Sequence, residues 1–547
     1  MQTVSTKSHV HNQLKTIMKK LLILSFLIPT LFSCSVNKQV NQKKYADLLT
    51  EESAKKHLTI LASREFEGRG TGQEGGKKTV EYIANVFKDL GLKPAVNGSY
   101  FQPVDLIRNS YVVDKFIINN KPLVNGKDLF IQGNNNSRDF KASDIVFVGY
   151  GIQTDKYNDL KGLDIAGKVV LVINEGEPIK NGNSLITGSG NPSEWSTSRF
   201  KRIQELTKLK PKMIIAVNSQ NAEMISKFGN RMTAGRFTLK SSDAQSNANQ
   251  ATMDIPVANI TMDIANQILA ANNTSIDKVI ATINSTGKPN SFDVKSSVDA
   301  TMGVKKEEFH DPNVLGVIEG TDLKDEVVII SGHYDHDGIL PDGTFFPGAD
   351  DNGSGTVGVM ELAKAFAAAK KDGKGPRRTI LFMAFAAEEK GLLGSNFYSQ
   401  NPIFPLSNTV TCLNMDMIGR IDDKHLNGNH NYIHAIGSEM LSSELKAINE
   451  KANNDYTQME LDYMYDDPKD PMRIYYRSDQ YNLAKHGIPV IFFFSGLHPD
   501  YHTPNDTVDK IDFPMMAKRE KLVFHTAWEI ANRDKKLVVD KTPAPAQ

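Results

Sequence analysis

The sequence predicts an α/β fold, a mixed and mostly parallel sheet sandwiched by helices, with an inserted β-rich domain. Three observations carry this. From Asn313 onward, apolar runs at Val327–Ile330, Thr379–Phe385, Val410–Leu413 and Pro489–Phe494 alternate with helical patterning, including the alanine-rich stretch Thr356–Lys370. Uninterrupted apolar strands between helices belong to sheets covered on both faces. Residues 105–295 have another texture, with short β-rich runs at Ile145–Val148, Val169–Ile173, Met213–Val217 and Ile255–Ile260 between polar loops. Finally, 547 residues exceed what one core serves, so two or three domains are expected.

In chain order, Lys19 and Lys20 precede the apolar run Leu21–Phe32, which Ser33 and Cys34 follow. A basic start, a short apolar stretch and a small residue at the cut describe a secretory signal over 1–34, with Met18 an alternative start. The run is shorter than the roughly 20 residues a membrane-spanning helix needs. Leu31-Phe32-Ser33-Cys34 resembles a bacterial lipobox, which implies lipidation at Cys34 and a membrane anchor. Residues 35–44 read as a polar tether. The main domain is then discontinuous, 45–104 and 296–535, around the insert 105–295, and 536–547 reads as a disordered tail. Thr50 is placed to cap a helix bearing Ala54, Leu58 and Leu61 on one face. A second helix is predicted from about Lys77, with Val80, Ile83, Ala84 and Phe87 inward and Gly91 at its end. Gly70-Thr71-Gly72-Gln73-Glu74-Gly75 matches the dinucleotide fingerprint formally, but a helix rather than a strand precedes it, so a structural turn is expected.

Lys+Arg and Asp+Glu both number 64, a balance that gives no support to nucleic-acid binding. Beyond Cys34 the only cysteine is Cys412, inside an apolar run, so it reads as a buried thiol and no internal disulfide forms. Export without disulfides fits a bacterial envelope protein, facing the periplasm or anchored in the outer membrane.

The chemistry collects beyond strand ends. His333-Tyr334-Asp335 follows the first strand, Glu388-Glu389 the second, Asp416 the third and Tyr501-His502-Thr503-Pro504 the last. Asp350 and Asp351 occupy the Gly-rich turn before the alanine-rich helix. Sites in open α/β sheets form beyond the carboxyl ends of strands. Two histidines with several carboxylates suit zinc, and carboxylates packed so densely require cations to offset their repulsion.

Together with Gly348-Ala349-Asp350-Asp351-Asn352-Gly353-Ser354-Gly355 and Asn414-Met415-Asp416, these motifs resemble the co-catalytic zinc aminopeptidases, the aminopeptidase Y-like and leucyl aminopeptidase-like exopeptidases. The resemblance implies two Zn2+ ions per chain and peptide substrates cut at the N-terminal residue. It implies that Asp350 bridges the ions, with His333 and Asp416 at one and Glu389 and His502 at the other. Glu388 is implied as general base for a water shared by the ions, and Asp335 as the residue that orients His333. A cis peptide is implied at Asp350–Asp351. Phe147-Val148-Gly149-Tyr150-Gly151 and Leu163–Val170 resemble a protease-associated domain. Tyr501, Arg477 and Asp479 are candidates for the substrate pocket. His336 is read as a neighbour of the ligands, and His310, His425, His430, His434 and His498 as surface or loop residues. A carboxypeptidase or dipeptidase on the same scaffold, a glutaminyl cyclase and a non-catalytic binding protein are the alternatives.

Overall fold

The computed structural model of the protein describes residues 42–133, 138–242 and 255–542. The signal segment with Cys34 and most of the tether lie outside them. The chain forms two compact units, one holding residues up to Pro103, Pro312–Gly338 and Phe345 onward, the other Val104–Asp311 with Ile339–Thr344.

The first unit is built on a nine-stranded mixed sheet. Its strands are β1 (Lys93–Pro94), β2 (Phe101–Gln102), β3 (Asn313–Ile318), β4 (Leu323–His333), β5 (Arg378–Phe385), β6 (Thr409–Met415), β7 (Tyr432–Ile436), β8 (Glu460–Asp462) and β9 (Val490–Phe494). The spatial order is β1-β3-β5-β4-β6-β9-β7-β8, with β2 paired to β3. The central β5-β4-β6-β9 block is parallel, and β3 and β7 run antiparallel at its flanks.

The pleat shows why these strands are apolar throughout: successive side chains go to opposite faces, and both faces are covered. Phe382 meets Phe366 of helix α3 (Gly355–Lys371), which stacks in turn on Phe524 and Trp528 of helix α6 (Phe513–Asn532). The alternate residues Leu381 and Met383 share a core with Tyr398 of helix α4 (Leu393–Gln400) and with Leu483. Helix α1 (Glu51–Leu61) starts where Thr50 Oγ1 accepts from the Ser53 amide at 3.2 Å and buries Ala54, Leu58 and Leu61. Helix α2 (Glu74–Asp89) begins three residues before the expected Lys77 and buries the predicted face. Cys412 is buried beside Ser331, and burial pushes its thiol up to about 12. No helix among the described residues is long and apolar enough to cross a membrane.

The C-terminal segment corrects one expectation. Residues 536–541 are not a loose tail: the Val538 amide donates to Glu444 Oε2 (3.0 Å), the Ser443 amide to Asp540 (2.9 Å) and the Lys541 amide to the Leu441 carbonyl (3.2 Å). Val538 and Asp540 thereby engage the first turn of helix α5 (Ser443–Ala452), pairings between residues far apart in sequence that local composition does not encode.

The second unit holds a six-stranded sheet whose Ile145–Phe147, Val169–Ile173, Met213–Val217 and Val257–Ile260 strands are parallel, and a five-stranded antiparallel sheet. Helices Arg199–Lys208, Asn221–Thr233, Met262–Leu269 and Ile276–Thr286 make it an α/β unit rather than a purely β-rich one. It runs to Asp311, past Lys295, because Val298–His310 pairs along the whole of Asp105–Ile118.

Candidate metal centre

Strands β4, β5 and β6 lie side by side and parallel, so their carboxyl ends share one edge. His333 closes β4, Glu388 and Glu389 follow β5, and Asp416 follows β6. The turn before α3 is tied to that edge: Thr356 Oγ1 donates to the His333 carbonyl (2.6 Å) and Asn352 Nδ2 to the Met415 carbonyl (3.0 Å). Arg69, fully buried, donates to the carbonyls of Tyr334 (2.9 Å), Pro347 (2.7 Å) and Gly348 (2.6 Å), clasping the turn to the end of β4. Gly348 has φ +55°, and a Cβ there would sit 2.4 Å from the His336 ring, so the turn requires glycine.

In this turn Asp351, not Asp350, faces the cluster. Asp351 Oδ1 lies 3.6 Å from His333 Nε2, and its Oδ2 lies 2.9 Å from His502 Nε2 and 3.7 Å from His336 Nδ1. Asp350 points elsewhere, accepting from the Gly419 amide at 2.6 Å and lying 3.4 Å from His498 Nε2. The cis peptide is correspondingly Asp351–Asn352, one residue later than expected. Consecutive residues in an irregular turn aim their carboxylates apart, so only one of the two can reach both histidines.

The remaining groups fall on either side of Asp351. His333 Nε2 is 3.4 Å from Asp416 Oδ2 and 3.7 Å from Glu388 Oε2. His502 Nε2 is 3.3 Å from Glu389 Oε2. His336, set aside in the sequence, is fully buried with Nδ1 2.7 Å from Glu389 Oε1. Asp337 adds a carboxylate 3.5 Å from His502 Nδ1. Neither neighbour was separable from loop residues by spacing alone, although both continue the His333–Asp335 run.

Supporting contacts fix these side chains. His333 Nδ1 faces the Asp335 carbonyl at 3.1 Å, and the Asp335 carboxylate is 3.8 Å away. That carboxylate accepts from the Glu388 amide (2.9 Å) and from Thr71 Oγ1 (2.9 Å), so the glycine-rich turn before α2 braces the site. Asp416 accepts from Ser478 Oγ (2.6 Å), which accepts from Asn414 Nδ2 (2.9 Å). Asp479 is fully buried rather than lining the cleft, and burial pushes its carboxyl up to about 7.

Burial holds the Glu388 carboxyl well above the usual range, with Asp416 and Glu389 adding to the effect against the opposing pull of His333. Burial alone would raise Glu389 too, yet His502 and His336 hold it well below. Two neighbouring carboxyls are thus driven in opposite directions by what surrounds each of them.

The donor set fits divalent ions. His333 Nε2 is buried and makes no hydrogen bond. Its separations of 3.4 and 3.6 Å from Asp416 and Asp351 match the roughly 3.3–3.5 Å between ligands of a tetrahedral ion with bonds of about 2.0–2.2 Å. The cleft is completed by Met417, Ile474, Phe492, Phe494 and Leu497 on its apolar wall and by Arg477 and Tyr501 on its polar side.

Residues 313–527 match the model of peptidase family M28. The chain is 30% identical over 239 residues to a probable leucine aminopeptidase of Arthroderma benhamiae, covering 42% of this chain and 61% of the relative. It is 25% identical over 242 residues to aminopeptidase YwaD of Bacillus subtilis, covering 41% and 46%. The chain thus spans about six-tenths of the fungal relative's length. In fold it is similar to an aminopeptidase from Aneurinibacillus sp. strain AM-1 (TM-score 0.55, 19% identity, 92% of this chain and 100% of that one). It is also similar to BSAP, a zinc aminopeptidase from Bacillus subtilis (TM-score 0.52, 18% identity, 91% and 98%).

Proposed function

We propose that the protein is a zinc-dependent aminopeptidase whose residues hold two ions, with Asp351 as the shared ligand. The observation that carries this is the placement of Asp351 between two histidine–carboxylate groups, His333 with Asp416 and His502 with Glu389. Bound there, a zinc pair would polarise the scissile carbonyl and lower the pKa of water.

The chain's own groups supply the rest. Glu388 stands at the cleft, its carboxyl tuned upward, where it takes a proton from the attacking water and returns it to the leaving amine. Arg477 Nη2 donates to the Tyr501 oxygen at 3.3 Å, and a guanidinium only donates, so the phenol keeps its own proton for an oxyanion in the cleft. Burial, with Asp351 and Glu389, pushes the Tyr501 phenol up and so keeps it protonated. The wall of Met417, Ile474, Phe492, Phe494 and Leu497 suits an apolar N-terminal side chain.

The test is the chain from Ser35 onward, assayed on leucyl- and phenylalanyl-p-nitroanilide with and without chelator, beside Glu388→Gln and a metal count. Two zinc ions per chain beyond any other site, loss of turnover on chelation, and a drop of about 10²–10⁴ in Glu388→Gln with zinc retained support the proposal. A chain that takes no zinc at His333 or His502 overturns it. Arg477 favours one second reading, since a cation at the cleft mouth would also hold a free carboxylate. Hydrolysis of N-blocked peptides with free C-termini, and none of the p-nitroanilides, would select a carboxypeptidase. Export and lipidation at Cys34 belong to the same proposal; a radiolabelled fatty acid carried by the wild-type chain and lost in Cys34→Ser tests them.

A further inference from the structure

A second group of titratable side chains lies in the first unit, away from the ligands named above. His425 and His434 were expected at the surface or in loops, yet both are buried, His434 completely. Parallel pairing of β7 with β8 places His434 opposite Asp462. His425 reaches the same place from the loop before β7, its ring stacked on Tyr432.

The two imidazoles lie between two carboxylates. On the inner side Asp422 Oδ1 is 2.7 Å from His425 Nδ1, and Asp422 Oδ2 is 2.8 Å from His434 Nε2. These are hydrogen-bond lengths to a buried carboxylate, so each ring carries its proton on that nitrogen. On the outer side Asp462 Oδ2 is 3.5 Å from His434 Nδ1 and 3.7 Å from His425 Nε2. Those distances are too long for good hydrogen bonds, and His434 Nδ1 is buried without one. With the inner protons assigned, the lone pairs on His434 Nδ1 and His425 Nε2 both lie near one carboxylate oxygen, Asp462 Oδ2. Such an arrangement is repulsive unless a cation occupies it, either as two extra protons or as one metal ion. The outer separations are close to the roughly 3.3–3.5 Å between ligands of a tetrahedral zinc. Asp422 then has the role that carboxylates take behind metal-bound histidines, fixing tautomer and ring orientation. The Asp462 side chain is 20% exposed, which leaves an entry path and a position for water. Lys424, the neighbouring cation, lies on Met464 Sδ (3.1 Å) and over the Tyr465 ring.

We infer that His425, His434 and Asp462, oriented by Asp422, form an additional site for a divalent transition-metal ion of the zinc type. Its place explains a structural use. Asp422 accepts both rings while its amide donates to Tyr432 Oη (2.8 Å), and that hydroxyl donates to the Ser495 carbonyl (2.5 Å) just after β9. An ion there fastens β7, β8 and the loop before β7 beside the segment that leads to Tyr501 and His502.

The test is a zinc count by mass spectrometry on the full chain from Ser35, equilibrated with zinc and freed of excess, against Asp462→Asn and His425→Gln. Both variants are expected to hold one equivalent fewer than wild type, to keep peptide hydrolysis within about threefold, and to lose part of the zinc-induced rise in Tm. The difference in count is read whatever the total, so it stands apart from occupancy of the cleft. His425 sits at the cluster's rim, so His425→Gln gives the count if Asp462→Asn fails to fold. Equal zinc in wild type and a folded variant overturns the site.

Discussion

Two adjacent aspartates show how much rides on which way one carboxylate points. Asp351 faces both His333 and His502, whereas Asp350 accepts from the Gly419 amide. On the proposed reading Asp351→Asn removes the charge shared by both ion positions, and kcat/KM should fall on the order of a thousandfold with loss of bound zinc. Asp350→Asn keeps an acceptor for Gly419 and should cost less than about tenfold. Activity and zinc content of the two purified variants check this; the reverse ranking would return the bridge to Asp350. The sequence could place a candidate ligand aspartate in this turn but not choose between neighbours. The choice depends on the path of the backbone through Gly348 (φ +55°) and on the grip of Arg69, a residue 279 positions away from the carbonyl of Gly348. His336 was missed for a similar reason. Its proximity to Glu389 arises only once β4 and β5 pair.

Elements were legible where one face decides them. The Thr50 cap, the apolar faces of α1 and α2, and the four apolar strands follow from local chemistry and pleat. Long-range polar pairs were not legible, because nothing in a helix's own periodicity announces its partner. Glu520 on α6 is the sharpest case. It is completely buried, both carboxylate oxygens lack hydrogen bonds, and burial with the nearby Glu361 holds its pKa well above the usual value. A carboxyl whose folded pKa is raised keeps its proton in the native state and loses it on unfolding. It therefore lowers stability progressively as pH rises above about 4.5, its ordinary value. Glu520→Met should stabilise the protein by about 1–3 kcal/mol at pH 8 and by less at pH 5.5. Urea midpoints at the two pH values decide it, and an equal gain at both would mean that Glu520 is not held protonated.

At the scale of the whole molecule, the division into two units has a simple covalent geometry. Gln102 and Asn313 are register partners in adjacent antiparallel strands, and the Val104–Asp311 stretch, which is all of the second unit except Ile339–Thr344, is strung between them. The Asp311 amide donates to the Val104 carbonyl at 3.2 Å, so the unit's entry and exit already meet. Replacing residues 103–312 with Asn-Gly, a two-residue hairpin turn, should leave β2 and β3 paired. The shortened chain is expected to unfold cooperatively and to bind zinc in the same number as the parent. Loss of a cooperative transition in circular dichroism would show that the sheet depends on the excised unit. Composition did mark this unit as distinct, but its end was set early because Val298–His310 is amphipathic at its exposed end and closes a sheet begun nearly two hundred residues before.

Cys412 has a practical corollary. Once the chain begins at Ser35 it holds no other thiol, and this one is enclosed by the central sheet and held protonated by burial. Maleimide and methanethiosulfonate reagents should therefore leave the folded protein unmodified. A cysteine introduced at an exposed position, one in each unit, would be the sole attachment point for a fluorophore or nitroxide, so distances between the units can be measured in solution without first engineering away a native thiol.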